Sequence, residues 1–169
     1  MRFLRFIIFL LAIFVILFLI SLMLPSRVTV SKSVDINAPS ERVMSQIENF
    51  ENWGNWYPAF KDENISVTKD SSKLQSVILK DKKGKMIHLS ITELHQNTIN
   101  IQVESSSATA VFYQFILTPK MNNQTQLTWN VNIDLGWLPW KKAEGIFMDK
   151  FSGPQYEMAL KDLSNAAEN

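Results

Sequence analysis

The segment WKKAEGIFMDKFSGPQYEMALKDLSNAA, residues 140–167, sets the architecture of this chain. It reads as helix along its length, whereas residues 28–135 read almost entirely as strand. Ala143, Phe147, Phe151, Pro154 and Met158 recur at spacings of three and four, and Ile146, Ala159, Leu160, Leu163 and Ala166 widen the stripe into a core-facing surface. Lys141, Lys142, Glu144, Asp149, Glu157, Lys161 and Asp162 populate the other side. Gly153-Pro154 falls in the middle, where proline removes a backbone donor and clashes with the preceding turn. The pattern therefore predicts a break there, with Pro154 near the first turn of the second half. A single long helix against one curved sheet wraps. Phe147, Phe151 and Met158 are then expected either to be core or to line a ligand cavity between helix and sheet.

Upstream, Val28, Val30, Val34 and Ile36 alternate with polar residues, the mark of a half-buried strand. Lys32 falls on the inward side of that alternation, either as an edge position whose ammonium snorkels to water or as a cation meeting an anionic ligand head. Asn37-Ala38-Pro39 then changes the period, and Val43, Met44, Ile47 and Phe50 mark one face of a short helix. In Trp53-Gly54-Asn55-Trp56-Tyr57-Pro58 one helical turn puts Trp53 and Trp56 on the same side. Strands follow near 63–69, 74–81, 85–94, 98–105, 110–118 and 124–135. Asp81-Lys82-Lys83-Gly84 and Met121-Asn122-Asn123-Gln124 are hairpin signals, so the strands form an antiparallel meander. The last strand alternates most cleanly, with Leu127, Trp129, Val131 and Ile133 on one face.

From Phe6 to Leu24 the chain carries no charge, and at 1.5 Å per residue this run is about 28 Å long, close to the hydrocarbon thickness of a bilayer. It is longer than a signal-peptide core and ends without a small-x-small cleavage pair, so residues 1–25 read as a retained anchor and 26–169 as one domain. Arg2 and Arg5 before the span place the N-terminus in the cytoplasm and the domain on the periplasmic or outer side of the cytoplasmic (inner) membrane. Without those two arginines, 15 basic and 16 acidic side chains leave the domain with a formal charge of −1. That balance argues against a nucleic-acid partner. Cysteine is absent, which excludes disulfides, thiol nucleophiles and cysteine-based metal sites.

The order strand, Ile36-Asn37-Ala38-Pro39, short helix, then Phe50 to Pro58 resembles the opening of the START-like helix-grip superfamily, in its polyketide cyclase/dehydrase (SRPBCC) type. Gly153 to Leu163 resembles the end of the same family's long helix, and the likeness runs over roughly residues 28–167. The resemblance implies an α+β helix-grip fold in which about seven antiparallel strands curve around the C-terminal helix over a deep apolar cavity. It supplies no universal catalytic residue, and one fold hosts many functions.

Catalytic and metal chemistry is sparse. His88 and His95 are seven apart, which on a regular strand puts them on opposite faces, and zinc needs three or four converging ligands. His88 shares its face with Ser90 and Thr92, opposite Ile87, Leu89 and Ile91, so it is expected to point outward. Glu93 shares the apolar face, at the strand's wet end or as a polar anchor in the cavity. Trp137-Leu138-Pro139-Trp140 precedes the long helix, where a helix-grip fold has its cavity mouth. The loop is expected to gate the cavity, touch the bilayer interface or cap the open end of the core, and Trp137 and Trp140, with Trp56, are the mouth candidates. Phe147, Phe151, Met158, Trp129, Lys32 and Glu93 are the cavity candidates.

The expectation is a single-pass, membrane-anchored protein that binds a small hydrophobic molecule or lipid without a metal or cofactor. Two alternatives stand beside it. One is an enzyme of cyclase or hydrolase type using the same cavity. The other is a stress or interaction protein whose cavity is filled by its own side chains.

Overall fold

The computed structural model describes residues 2–62, 65–69, 75–81, 84–105 and 110–169. Helix α1 (Arg2–Met23) passes through Leu24-Pro25-Ser26 into β1 (Arg27–Ile36). Helices α2 (Ser40–Glu48), α3 (Trp53–Trp56) and α4 (Pro58–Lys61) follow, a 3-10 turn at Phe50–Asn52 joining the first two. Six strands come next: β2 (Ile65–Lys69), β3 (Ser76–Asp81), β4 (Met86–His95), β5 (Thr98–Ser105), β6 (Ala110–Lys120) and β7 (Gln124–Asp134). Helices α5 (Pro139–Ile146) and α6 (Met148–Glu168) close the chain. Every strand pair is antiparallel and the order is β1-β7-β6-β5-β4-β3-β2. The first strand thus returns beside the last, and β1 and β2 are the edges. The antiparallel meander is the one the alternation predicts, and with β1 beside β7 it makes the helix-grip arrangement that the family resemblance implies.

Period two sorts the side chains. Leu127, Trp129, Val131 and Ile133 of β7, Tyr113, Phe115 and Leu117 of β6, and Ile99, Ile101 and Val103 of β5 are buried on the inner face. On the outer face Thr29 donates to Asn132 at 2.7 Å, Ser31 donates to Asn130 at 2.7 Å, and the Ser33 and Thr128 hydroxyls meet at 2.9 Å. The turn after β6 closes because Asn122 and Asn123 take φ of 60° and 61°, a conformation asparagine tolerates. Of the other hairpin signal, Lys82 and Lys83 lie outside the described residues, and Gly84 has φ +84°.

Two readings of the strands need correction. The register of β4 against β5 shifts between Ile91 and Glu93, so a bulge at Thr92 takes Glu93 off the apolar face and pairs it with Asn100. Glu93 is exposed, accepting from the Asn100 amide at 2.7 Å. The same bulge puts His95 on the outer face with His88, rather than opposite it.

The C-terminal segment also differs from its periodicity. The helix breaks at Phe147, not at Gly153-Pro154. Phe147 donates its N–H to the Glu144 carbonyl at 3.1 Å and accepts from Phe151 at 3.1 Å, so one residue ends α5 and begins α6. Pro154 stays inside α6 because the carbonyl it leaves without an intrahelical donor belongs to exposed Lys150. The buried face of α6 is Gly153, Ala159, Leu160, Leu163, Ser164 and Ala167. Phe147, Phe151 and Met158 point outward, 54%, 77% and 63% exposed. The reason is volume: Trp53, Trp56, Trp129 and Phe115 are the largest fully buried side chains, and they fill the interior from α3 and the sheet. The helix facing them buries small residues and two leucines there, and no phenylalanine.

Among the described residues no helix is long and apolar enough to cross a membrane. Helix α1 is 22 residues long, and the expected span over residues 6–24 is not shown by the structure.

Gly145 fixes α5 against the sheet. A Cβ there would lie 2.3 Å from Leu135 Cδ1 and 2.9 Å from Val28 Cγ2. Gly145→Val is expected to lower stability by about 2 kcal/mol through overpacking, read from the denaturant midpoint of the full chain. An unchanged midpoint would show that α5 is not seated there.

Candidate functional site

Three indoles lie inside the grip. Trp53 Nε1 donates to the Ile47 carbonyl at 2.8 Å and Trp56 Nε1 to the Gln46 carbonyl at 3.1 Å. Both acceptors belong to the last turn of α2, where carbonyls lack intrahelical donors. The short turn of α3 therefore packs two rings into the core and satisfies their polar atoms in one move. Trp129 has no such arrangement: its ring stacks on Phe115 at 4.9 Å, and its buried Nε1 finds no acceptor among the described residues. An unpaired buried N–H is costly, of the order of 1–3 kcal/mol.

Around Trp129 stand all three tyrosines of the chain. Tyr57 follows α3, Tyr113 lies on β6 and Tyr156 on α6, with ring centroids 6.1, 5.2 and 4.9 Å from that of Trp129. The Tyr57 and Tyr113 hydroxyls are hydrogen-bonded at 2.9 Å. One phenol donates to the other, so the pair keeps one O–H to offer a third group. Tyr57 and Tyr156, with Pro58, Ala59, Gln155 and Ala159, line a cleft of about 80 Å³ between α3–α4 and α6. Burial raises the Tyr113 pKa well above its ordinary value, with Tyr57 and Tyr156 adding to the shift. Burial raises Tyr57 as well, partly offset by its bond to Tyr113, and pushes Tyr156 up to about 12. At neutral pH these phenols are neutral hydrogen-bond donors, not bases. Indole N–H and phenol O–H in an aromatic wall suit an apolar molecule bearing one or two acceptor oxygens.

The residues singled out in the sequence fall in different places. Trp129 is at the centre of this cluster. Trp56 is fully buried in the core, not at a mouth. Trp137 and Trp140 are exposed beside α1, away from the Tyr57–Tyr156 cleft. Lys32 does face inward, but its ammonium is committed to α6, 2.8 Å from Glu157 and 3.2 Å from Asp149. Those two hydrogen bonds, Glu157 first, raise its pKa. Gly153 makes room for it, since a Cβ there would lie 3.1 Å from Lys32 Cε and Nζ. His88 sits on the outer face with its Nδ1 3.6 Å from Glu104. Lys32, Glu93 and His88 do not converge: β1 and β4 are separated by three strands, and the latter two residues lie on the opposite face. Among the described residues no group of metal-binding side chains occurs.

Sequence reading missed Tyr113 and Tyr156. The available signal was the strand alternation of 110–118, which puts Tyr113 inward with Phe115 and Leu117 as the one polar-tipped member of that set.

Residues 27–168 match the profile of a family described as polyketide cyclase / dehydrase and lipid transport. Similar folds occur in a START superfamily protein from Mycobacterium smegmatis (19% identity, TM-score 0.62, covering 83% of this chain and 97% of that one). They occur also in the Zhui aromatase/cyclase from Streptomyces (12%, 0.63, 84% and 94%) and a conserved protein from Geobacillus kaustophilus (12%, 0.63, 83% and 95%). At these identities the likeness is one of fold. No curated protein sequence matches the chain.

Two outcomes follow. In alkaline titration, near-ultraviolet tyrosinate absorbance is expected to be delayed beyond pH 10, where an ordinary tyrosine is half ionised, with Tyr156 ionising near pH 12. Because the folded-state pKa values are raised, stability is full below about pH 10 and falls as pH rises through them. Any tyrosine titrating normally in the folded chain contradicts the cluster. Separately, Lys32→Met is expected to speed amide exchange along residues 148–157 and leave the later turns of α6 protected; uniform exchange would show that the ion pairs do not hold this end.

Proposed function

We propose, for a chain that belongs to the polyketide cyclase / dehydrase and lipid transport family, that it is a membrane-anchored binding protein for a small hydrophobic ligand of lipid type, held between the sheet and α6. The observation that carries this is the unpaired Trp129 N–H beside the Tyr57–Tyr113 hydroxyl pair in an otherwise apolar interior. Such a site offers donors and has no acceptor partner for one of them, the condition that a ligand oxygen relieves. The binding is non-catalytic in this reading, since the neutral phenols orient a ligand without abstracting a proton and Lys32 is already paired.

Anchoring is the second part of the proposal. It is supported by the 22-residue helix of α1, by exposed apolar side chains around its circumference, and by the short link to β1. Arg2 and Arg5 at its start favour a cytoplasmic N-terminus, with the domain on the periplasmic or outer side of the inner membrane.

A cleft of about 80 Å³ is smaller than the 300 Å³ or so that a drug-sized ligand occupies, so a lipid enters this site only as α6 shifts outward. The same tightness favours a second reading, an interaction protein with a filled interior and Trp137 and Trp140 as its docking surface.

The test is native mass spectrometry of the full chain released from detergent, with solvent extraction of what it carries. A stoichiometric apolar adduct is expected, retained about tenfold more weakly by Trp129→Phe, which keeps the ring and removes the N–H. A chain without adduct after incubation with membrane lipids would favour the interaction reading.

A further inference from the structure

We propose that the groove between α1 and α5 holds an acyl chain of a bilayer lipid, with Trp137 and Trp140 standing in the outer leaflet beside it; this rests on the reading that α1 spans the membrane. The groove encloses about 570 Å³. Leu17, Phe18 and Leu24 wall one side and Trp137, Trp140 and Ala143 the other. Its volume falls within the range of small-molecule sites, and its walls are the apolar side chains of both elements.

Height is the deciding geometry. Side chains that wall one groove lie at one level along α1. Phe14 to Leu24 cover its last three turns, about 15 Å of helix. In a spanning helix this level belongs to the outer leaflet, so the turn carrying Trp137 and Trp140 lies alongside the span instead of above it. Two features hold it there. The link Leu24-Pro25-Ser26 leaves no slack between α1 and β1. Buried Lys142 of α5 donates to the Leu24 carbonyl at 3.2 Å, placing a cation just past the negative end of α1.

An acyl chain is the occupant that matches this position. It is apolar along its length, as the groove is, and it is the abundant species at that depth; a water-soluble partner does not reach it. Trp137 and Trp140 are 72% and 61% exposed, and indole rings concentrate where hydrocarbon meets the polar layer. Ile146, Phe147 and Phe151 carry the exposed apolar surface onward from the groove along the outside of α5 and α6. The stripe whose spacing resembles a core face thus has a solvent of its own.

The test uses the full chain in vesicles of phosphatidylcholine and phosphatidylglycerol with brominated acyl chains, which quench indole emission at short range. Trp53, Trp56 and Trp129 are sealed in the domain, so quenching reports Trp137 and Trp140. Strong quenching is expected for the native chain, with most of it lost in the double variant Trp137→Phe, Trp140→Phe. Native mass spectrometry is expected to show one phospholipid, beyond the adduct sensitive to Trp129→Phe, retained by the detergent-solubilised chain and lost in Ala143→Phe, which fills the groove but leaves the grip ligand in place. Unquenched emission from a chain that resists alkaline carbonate extraction overturns the proposal, as does an Ala143→Phe chain that keeps its phospholipid. Release by carbonate removes the membrane span and this groove lipid together, while leaving ligand binding under α6 standing.

Discussion

The volume between a curved sheet and the helix laid across it is finite, and here it is occupied first from the sheet side. Trp129 and Phe115 stack at the centre of the inner face, and Trp53 and Trp56 close over them from α3. What remains admits a helix only through Gly153, Ala159 and Ala167, with Leu160 and Leu163 filling the gaps between rings. Close packing leaves no alternative rotation, because turning α6 to present Phe147 and Phe151 would require displacing the indoles. The outward phenylalanines, the inward Lys32 opposite Gly153 and the narrow cleft at Tyr156 are consequences of that one fact.

Polar atoms inside such a core are few, and their satisfaction differs from one to the next. The N–H groups of Trp53 and Trp56 are absorbed by carbonyls that α2 would otherwise leave open, so these indoles serve local folding. Trp129 lies in the middle of a strand paired on both sides, and its Nε1 has no acceptor among the described residues. A residue of the same type is therefore hydrogen-bonded at two positions and left without an acceptor, among the described residues, at the third.

Much of this was legible in the sequence. The strands and their antiparallel meander followed from alternation and turn residues, because a period of two tolerates little ambiguity when one face is buried. The return of β1 beside β7 did not follow from them. The bulge at Thr92 was not legible: nothing in Ile91-Thr92-Glu93 marks the extra residue, and parity beyond it was misjudged. The helix failed for a different reason. It carries two apolar faces, and periodicity ranks them by side-chain size, whereas the fold ranks them by the space left opposite. The tyrosine cluster combines three distant segments, α3–α4, β6 and α6, so only the tertiary arrangement assembles it. Its family was recognisable from Ile36 to Pro58 and from the C-terminal helix, since those stretches pair turn chemistry with aromatic spacing.

Lys32 has one more role, and it concerns other copies of the chain. β1 ends the sheet, and its far side presents backbone donors and acceptors that a strand from a neighbouring molecule would complete. A charge turned toward the interior of an edge strand is one of the ways sheets resist such additions, because a slipped or intermolecular register would pull it away from its counter-ions. Here those counter-ions sit on α6, so the guarded edge and the docked helix are maintained by the same ammonium. A chain that lost this pairing would have a looser helix and also an edge open to polymerisation.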